Sequence, residues 1–312
     1  MSHLTAPAML ATALLLSNQA RASEGPWSTA PGLHNIYLGT FVERFSCFTA
    51  DRPGSVSCGD SSTALPGAVA RTGLKAFYRT GLSRRVDLAF SAPLLASIGS
   101  GDASSDTMQP TIGVGTIQGR VRATLGDAGP VTFGMGLGVE SGAAHAKTRG
   151  RITNLGDGTS GAVATLYSGT HALLGSTFYT ASTDISYVYR FKIDESSAGR
   201  LPGDELRFSS LMVFALSQRF GVGASLDGQL RLWGEDLNAR DLRPFGTRDD
   251  SLRWAALQAQ QIKGGVRGVL YPEGTRPYML LGVYQALWAW NNPVDTLFVE
   301  LAVGFDLGRG ES

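Results

Sequence analysis

The chain has 312 residues, with 27 Lys and Arg against 26 Asp and Glu, and a mean hydropathy of +0.01. So even a charge balance offers no basic excess to neutralise phosphates, which excludes nucleic acid as a partner suggested by charge. With 43% hydrophobic and 17% charged residues, the composition also argues against a disordered chain. Zero mean hydropathy excludes a bundle of apolar helices. It leaves open a membrane β-barrel, in which every second residue is polar.

Residues 6–16 (APAMLATALLL) form an apolar run of signal-peptide length, too short to cross a bilayer as a helix. Ala20, Arg21 and Ala22 come next, with small residues at the spacing a signal peptidase reads. The expectation is a signal peptide over 1–22, although no Lys or Arg precedes the run, and a single domain over 23–312. Cys47 and Cys58 are the two cysteines of the chain. In an exported protein their even count favours a disulfide closing a short loop, which would stabilise by roughly 2–3 kcal/mol.

From residue 34 onward the apolar residues alternate with polar ones at a period of two, the signature of strands with one wet face. The alternation predicts about twelve strands: 34–45, 69–81, 86–98, 112–125, 131–141, 162–172, 177–193, 205–217, 221–233, 258–271, 278–290 and 296–307. Most exceed the 5–6 residues usual in soluble sheets and suit the roughly 9–11 needed for a tilted membrane crossing. Short connections at 83–85, 127–130, 218–220 and 272–276 alternate with long ones at 46–68, 99–111, 142–161, 194–204 and 234–257. An outer-membrane barrel alternates in this way, with tight periplasmic turns and longer external loops. An even strand number returns both termini to the turn side and places Cys47 and Cys58 in the first external loop.

This pattern resembles the bacterial outer-membrane β-barrel proteins, of channel or transporter type, over nearly the whole of 23–312. The segment YRTGLSRRVDL (residues 78–88), a strand, tight turn and next strand, is similar to the tyrosine–glycine–leucine hairpin of channel-like barrels. Such barrels usually end on an aromatic residue read by the assembly machinery, whereas Phe305 here is followed by seven more residues. The resemblance implies a single antiparallel barrel in the outer membrane of a Gram-negative bacterium. It also implies contact with lipid and lipopolysaccharide, and assembly by the barrel-assembly machinery.

If the apolar faces meet lipid, the opposite faces line the lumen. That assigns Arg71, Lys75, Arg79, Arg120, Arg122, Arg190, Lys192, Arg207, Arg231, Lys263 and Arg267 to the interior, with Asp87, Glu140, Asp184, Asp227, Glu300 and Asp306. Eleven bases against six acids would favour anionic solutes mildly. Equally, long arginines and carboxylates could pair across the interior and fill it. Trp27, Tyr37, Phe41, Phe45, Tyr187, Tyr189, Trp288 and Trp290 fall near strand ends, where interfacial girdles belong. Trp288 and Trp290 would also serve as a platform for a sugar or aromatic solute.

Catalytic patterns are weak. Of His34, His145 and His171, the histidines beyond residue 22, His145 and His171 lack a neighbouring serine to activate, and Gly59-Asp60-Ser61 has no late histidine to join it. Gly113, Gly115, Gly134, Gly136 and Gly138 do not keep dinucleotide-binding spacing and fall inside strands, where they fit curvature and close packing. Asp102, Asp106, Ser104 and Ser105 read as a solvated loop. No cofactor or metal is called for. The expected function is passive uptake of small solutes. The alternatives are a barrel acting through its external loops (142–161 and 234–257) in adhesion or partner binding, an outer-membrane hydrolase, and, as a different fold, a soluble secreted β-protein.

Overall fold

The computed structural model describes residues 26–49, 62–99, 110–141, 160–191, 203–217, 219–233, 260–270, 278–290, 293–294 and 296–308. Its elements are β1 (His34–Thr49), β2 (Ser62–Gly81), β3 (Val86–Gly99), β4 (Thr111–Val114), β5 (Ile117–Ala128), β6 (Val131–Ser141) and β7 (Gly161–Leu174). They continue with β8 (Thr177–Arg190), β9 (Glu205–Ala215), β10 (Phe220–Arg231), β11 (Gln260–Leu270), β12 (Tyr278–Trp290), β13 (Pro293–Val294) and β14 (Leu297–Leu307).

Apart from the short β4 and β13, strands that follow one another in the chain pair antiparallel, and β1 pairs with both β2 and β14, so the sheet closes on itself. Closure removes the unpaired edges that an open sheet would expose. The short β4 and β5 both pair with β3 and occupy one position, interrupted at Gly115 and Thr116. Likewise β13 and β14 share one position beside β1. Counted by position the barrel has twelve strands, and no helix occurs among the described residues.

The predicted strands lie close to the observed ones, including 162–172, the least regular in pattern, which is β7. Larger departures occur at β2, which begins seven residues earlier than expected, and at 112–125, which is broken in two. Two tight turns rest on residues with positive φ, Gly129 at 62° and Gly175 at 63°, where a side chain would be strained. Both belong to the short-turn end of the barrel, where β1 also starts and β14 finishes. The predicted signal peptide, Cys58, Gly59-Asp60-Ser61, Asp102, Ser104, Ser105, Asp106, His145 and Lys192 lie outside the described residues.

The outer surface is an apolar band. Leu38, Val42, Leu94, Val121, Leu137, Leu166, Val266, Leu281 and Leu301 are all exposed, each alternating with inward residues that are buried or partly buried. On β14, Leu301 is 48% exposed while its neighbours Glu300 and Ala302 are at 8% and 1%. That is the reverse of a water-soluble protein: the charged residues are inside and the leucines outside.

Candidate functional site

The barrel interior holds the polar chemistry. It is organised as three charged clusters and one inserted segment of chain.

The first cluster lies toward the short turns. The Arg79 guanidinium donates to Asp87 Oδ2 from Nε at 2.8 Å and from Nη2 at 2.5 Å, both residues being almost wholly buried. Arg122 Nε stands 3.7 Å from the other Asp87 oxygen, and its guanidinium lies over the Tyr167 ring at 4.5 Å. Gly136, directly beneath that ring, leaves room for it: a Cβ there would lie 3.0 Å from the Tyr167 hydroxyl.

Against this cluster rests the segment preceding β1. Thr29 N–H donates to Asp87 Oδ2 at 2.9 Å, and Arg79 Nη2 donates to the Trp27 carbonyl. Thr124 Oγ1 donates to the Pro26 carbonyl at 2.7 Å and accepts from Ser28 N–H at 3.1 Å. The Trp27 ring stacks on His171 at 4.0 Å. A Cβ at Gly169 would collide with Trp27, and one at Gly81 with the carbonyls of Thr29 and Ala30. These glycines therefore make space for a chain segment inside the barrel, at its short-turn end. Trp27 is thus not part of an interfacial girdle. Tyr37, Phe41 and Phe45 also leave the predicted girdle. Tyr37 donates inward to Glu300 at 2.5 Å, Phe41 stacks inside on Phe298 at 5.1 Å, and Phe45 is buried. Tyr187 and Tyr189 do face outward, and Trp288 and Trp290 pair in register with Ile262 and Gln260 next to the β11 irregularity.

The second cluster lies toward the long connections. Glu140 on β6 takes Arg190 of β8 at 2.7 Å, meeting it over Gly161, the register partner of both. Arg207 on β9 donates to Glu140 and, at 2.6 Å, to Glu205, which also receives Arg190 at 2.7 Å and Arg231 at 2.9 Å. Two carboxylates thus hold three arginines on the inner wall. Gln118 and Gln229 add hydrogen bonds to Glu140 and Glu205, and Arg120 donates to Gln118 at 3.1 Å. In the third cluster Lys263 donates to Glu43 at 2.6 Å with Arg71 at 3.9 Å, and Arg267 donates to Tyr284, itself beside Glu300.

Of the residues predicted for the lumen, the described ones are Arg71, Lys75, Arg79, Arg120, Arg122, Arg190, Arg207, Arg231, Lys263 and Arg267, with Asp87, Glu140, Asp184, Asp227, Glu300 and Asp306, and they stand at strand positions that alternate with the outward apolar residues. Asp227 accepts from Ser209 at 2.6 Å and Asp306 from Asn35. Sequence reasoning missed two inward acids, Glu43 and Glu205. Glu205 lies two residues before Arg207 and so on the same face of β9, a signal that was available. With them the described inner face carries ten bases against eight acids, a smaller excess than expected, and most of those charges are paired. His34 faces outward to Tyr78 at 2.8 Å, and His171 is held by Trp27 and Thr180. Among the described residues no group of three or more metal-ligating side chains comes together.

A closed antiparallel barrel with leucines outside and paired charges inside has the fold of the bacterial outer-membrane β-barrels. No family model matches the chain, and no curated protein sequence does. Among solved structures, it is similar to an outer-membrane channel from Pseudomonas putida F1, at a TM-score of 0.57 and 15% identity, covering 91% of this chain and 98% of that one. The translocator domain of the autotransporter NalP from Neisseria meningitidis matches at 0.44 and 13% identity, over 98% of this chain and 99% of that one. A TodX monoaromatic hydrocarbon channel variant matches at 0.43 and 11%, over 94% of each. At these identities the likeness is one of fold.

Proposed function

We propose that this protein is an outer-membrane channel that admits small solutes passively, with a mild preference for anions and no chemistry of its own. The observation that carries this reading is the inversion of polarity on a closed sheet. A continuous apolar exterior needs lipid as its solvent, and a charged interior is compatible with water and polar solutes. The first of the similar structures is described as an outer-membrane channel, which supports the same reading. The 26–31 segment narrows the short-turn end, so the path is restricted and not a wide pore. Export through a cleaved signal peptide over 1–22, and a disulfide between Cys47 and Cys58, belong to this proposal, as do lipopolysaccharide and the barrel-assembly machinery as partners.

The experiment has two stages. In the outer-membrane fraction, unheated protein should migrate differently from boiled protein on electrophoresis, as a detergent-stable barrel does. Purified protein in liposomes should then allow swelling in small solutes. A mature protein recovered from the soluble periplasm, or folded protein giving impermeable liposomes, would contradict the proposal.

A further inference from the structure

Among the described residues, Lys75 is the one charged side chain of the inner face with no hydrogen bond or ion pair, and it is also exposed. It sits in mid-strand on β2, between Gly39 of β1 and Pro93 of β3 in register. Its inward neighbours along β2, Gly73 and Phe77, are glycine and an aromatic; beyond Pro93, Leu95 fills the space over Gly73 and Gly115. The ammonium therefore stands over an apolar wall and is reachable from the lumen. Among the described residues no carboxylate is tied to it, unlike Arg79, Arg190 or Lys263.

A second observation lies one inward step toward the short turns. Phe77 and Ser91, the next inward residues after Lys75 and Pro93, line a small cavity together with Gln118, Arg120, Arg122 and Tyr167. Tyr167 is 2% exposed, and its hydroxyl has no hydrogen-bond partner among the described residues. A buried hydroxyl left unpaired is destabilising, so an acceptor arriving from the lumen would offset that cost. Successive inward positions on a strand are about 7 Å apart. The flexible four-carbon stem of a lysine can span that interval, bringing its ammonium to the mouth of the cavity.

We infer that Lys75 and the Tyr167 hydroxyl form a binding site for a small organic carboxylate with an apolar body. The ammonium and the phenol O–H donate to the carboxylate at the cavity mouth, with Arg120 and Arg122 adding positive potential behind it. Phe77, Pro93 and Leu95 contact the apolar body. No bond is made or broken. The site deepens the channel reading and rests on it only for the passage of the bound acid onward through the lumen.

The test uses the detergent-folded full barrel, with benzoate as the probe and benzyl alcohol as its uncharged counterpart, by titration calorimetry. Wild type is expected to bind benzoate at least tenfold more tightly than benzyl alcohol. K75Q should abolish that preference and K75R should keep it. Y167F should weaken benzoate several-fold without lowering the temperature at which the folded electrophoretic band is lost, because the hydroxyl it removes has no hydrogen-bond partner among the described residues. Equal affinity for the two probes, no benzoate binding by wild type, or unchanged benzoate affinity in folded K75Q would each overturn the site. Chloride conductance of the wild-type protein in planar bilayers, recorded without benzoate, tests the channel reading separately. A conducting barrel indifferent to benzoate sinks only the site, and a benzoate-binding barrel that never conducts sinks only the channel.

Discussion

Arg79 and Asp87 face each other across the β2–β3 hairpin as a buried ion pair, and the same Asp87 oxygen accepts the backbone N–H of Thr29. One carboxylate thus ties two wall strands to the segment that enters the barrel. The sequence YRTGLSRRVDL contains both members of the pair. What it does not display is the third partner, 58 residues earlier in the chain.

Replacing Asp87 by Ala would leave Arg79 buried without its counter-charge. Removing one partner of such a pair costs about 3–5 kcal/mol. D87A should therefore lower the temperature at which the folded band converts to the unfolded one on electrophoresis, and expose 26–31 to protease. A variant with wild-type heat resistance and wild-type cleavage would show that the pair contributes little.

The stacked rings of Trp27 and His171 place the segment's largest side chain inside the short-turn end. W27A should widen the path. The expected result is a larger single-channel conductance than wild type, in protein that keeps its electrophoretic shift. Unchanged conductance would mean that the restriction lies elsewhere along the lumen.

Glu205 is the acceptor shared by Arg190, Arg207 and Arg231. E205Q removes a negative charge from the wall and leaves three guanidiniums with Glu140 alone among the acids of that cluster. Reversal potentials in a salt gradient should move toward stronger chloride selectivity, alongside a lower heat resistance. A shift toward cations would contradict the inward placement of this cluster.

Close packing predicts a paired outcome for two glycines. A Cβ at Gly304 would lie 2.0 Å from the Tyr278 ring inside the barrel, whereas one at Gly268 would meet only Phe220 at 3.6 Å. Overpacking of this kind costs about 1–3 kcal/mol, so G304A should lose heat resistance and G268A should retain it. Equal behaviour of the two would argue against the tight interior at Tyr278.

Much of the fold was legible because a strand's side chains alternate strictly. Leu297, Val299, Leu301, Val303, Phe305 and Leu307 could be assigned to one face of the last strand from spacing alone, and they share the outer face of β14. The same parity brought Arg79, Arg122, Arg190 and Arg231 inside. Alternation specifies a side, however, and says little about partners. Glu43 and Glu205 were readable by parity, but the pairing of Glu140 with Arg190 over Gly161 depends on closure through three strands. The aromatic residues misled for a related reason. Proximity to a strand end suggests a girdle, yet Tyr37, Phe41 and Phe45 share the inward parity of β1, and Trp27 precedes the strand altogether. Its place beside His171 comes from tertiary contacts that no local pattern announces. The glycine abundance likewise acquires specific causes, at Gly81 and Gly169 for the entering segment and at Gly136 for the Tyr167 ring.

The central claim, that apolar strands cross a membrane around a conducting lumen, is tested most directly by single-channel recording of the folded, heat-modifiable protein in planar lipid bilayers. Discrete stepwise increments in current, reversing at a potential of mild anion preference, are the predicted result. A membrane that stays silent after insertion of folded protein would contradict the account.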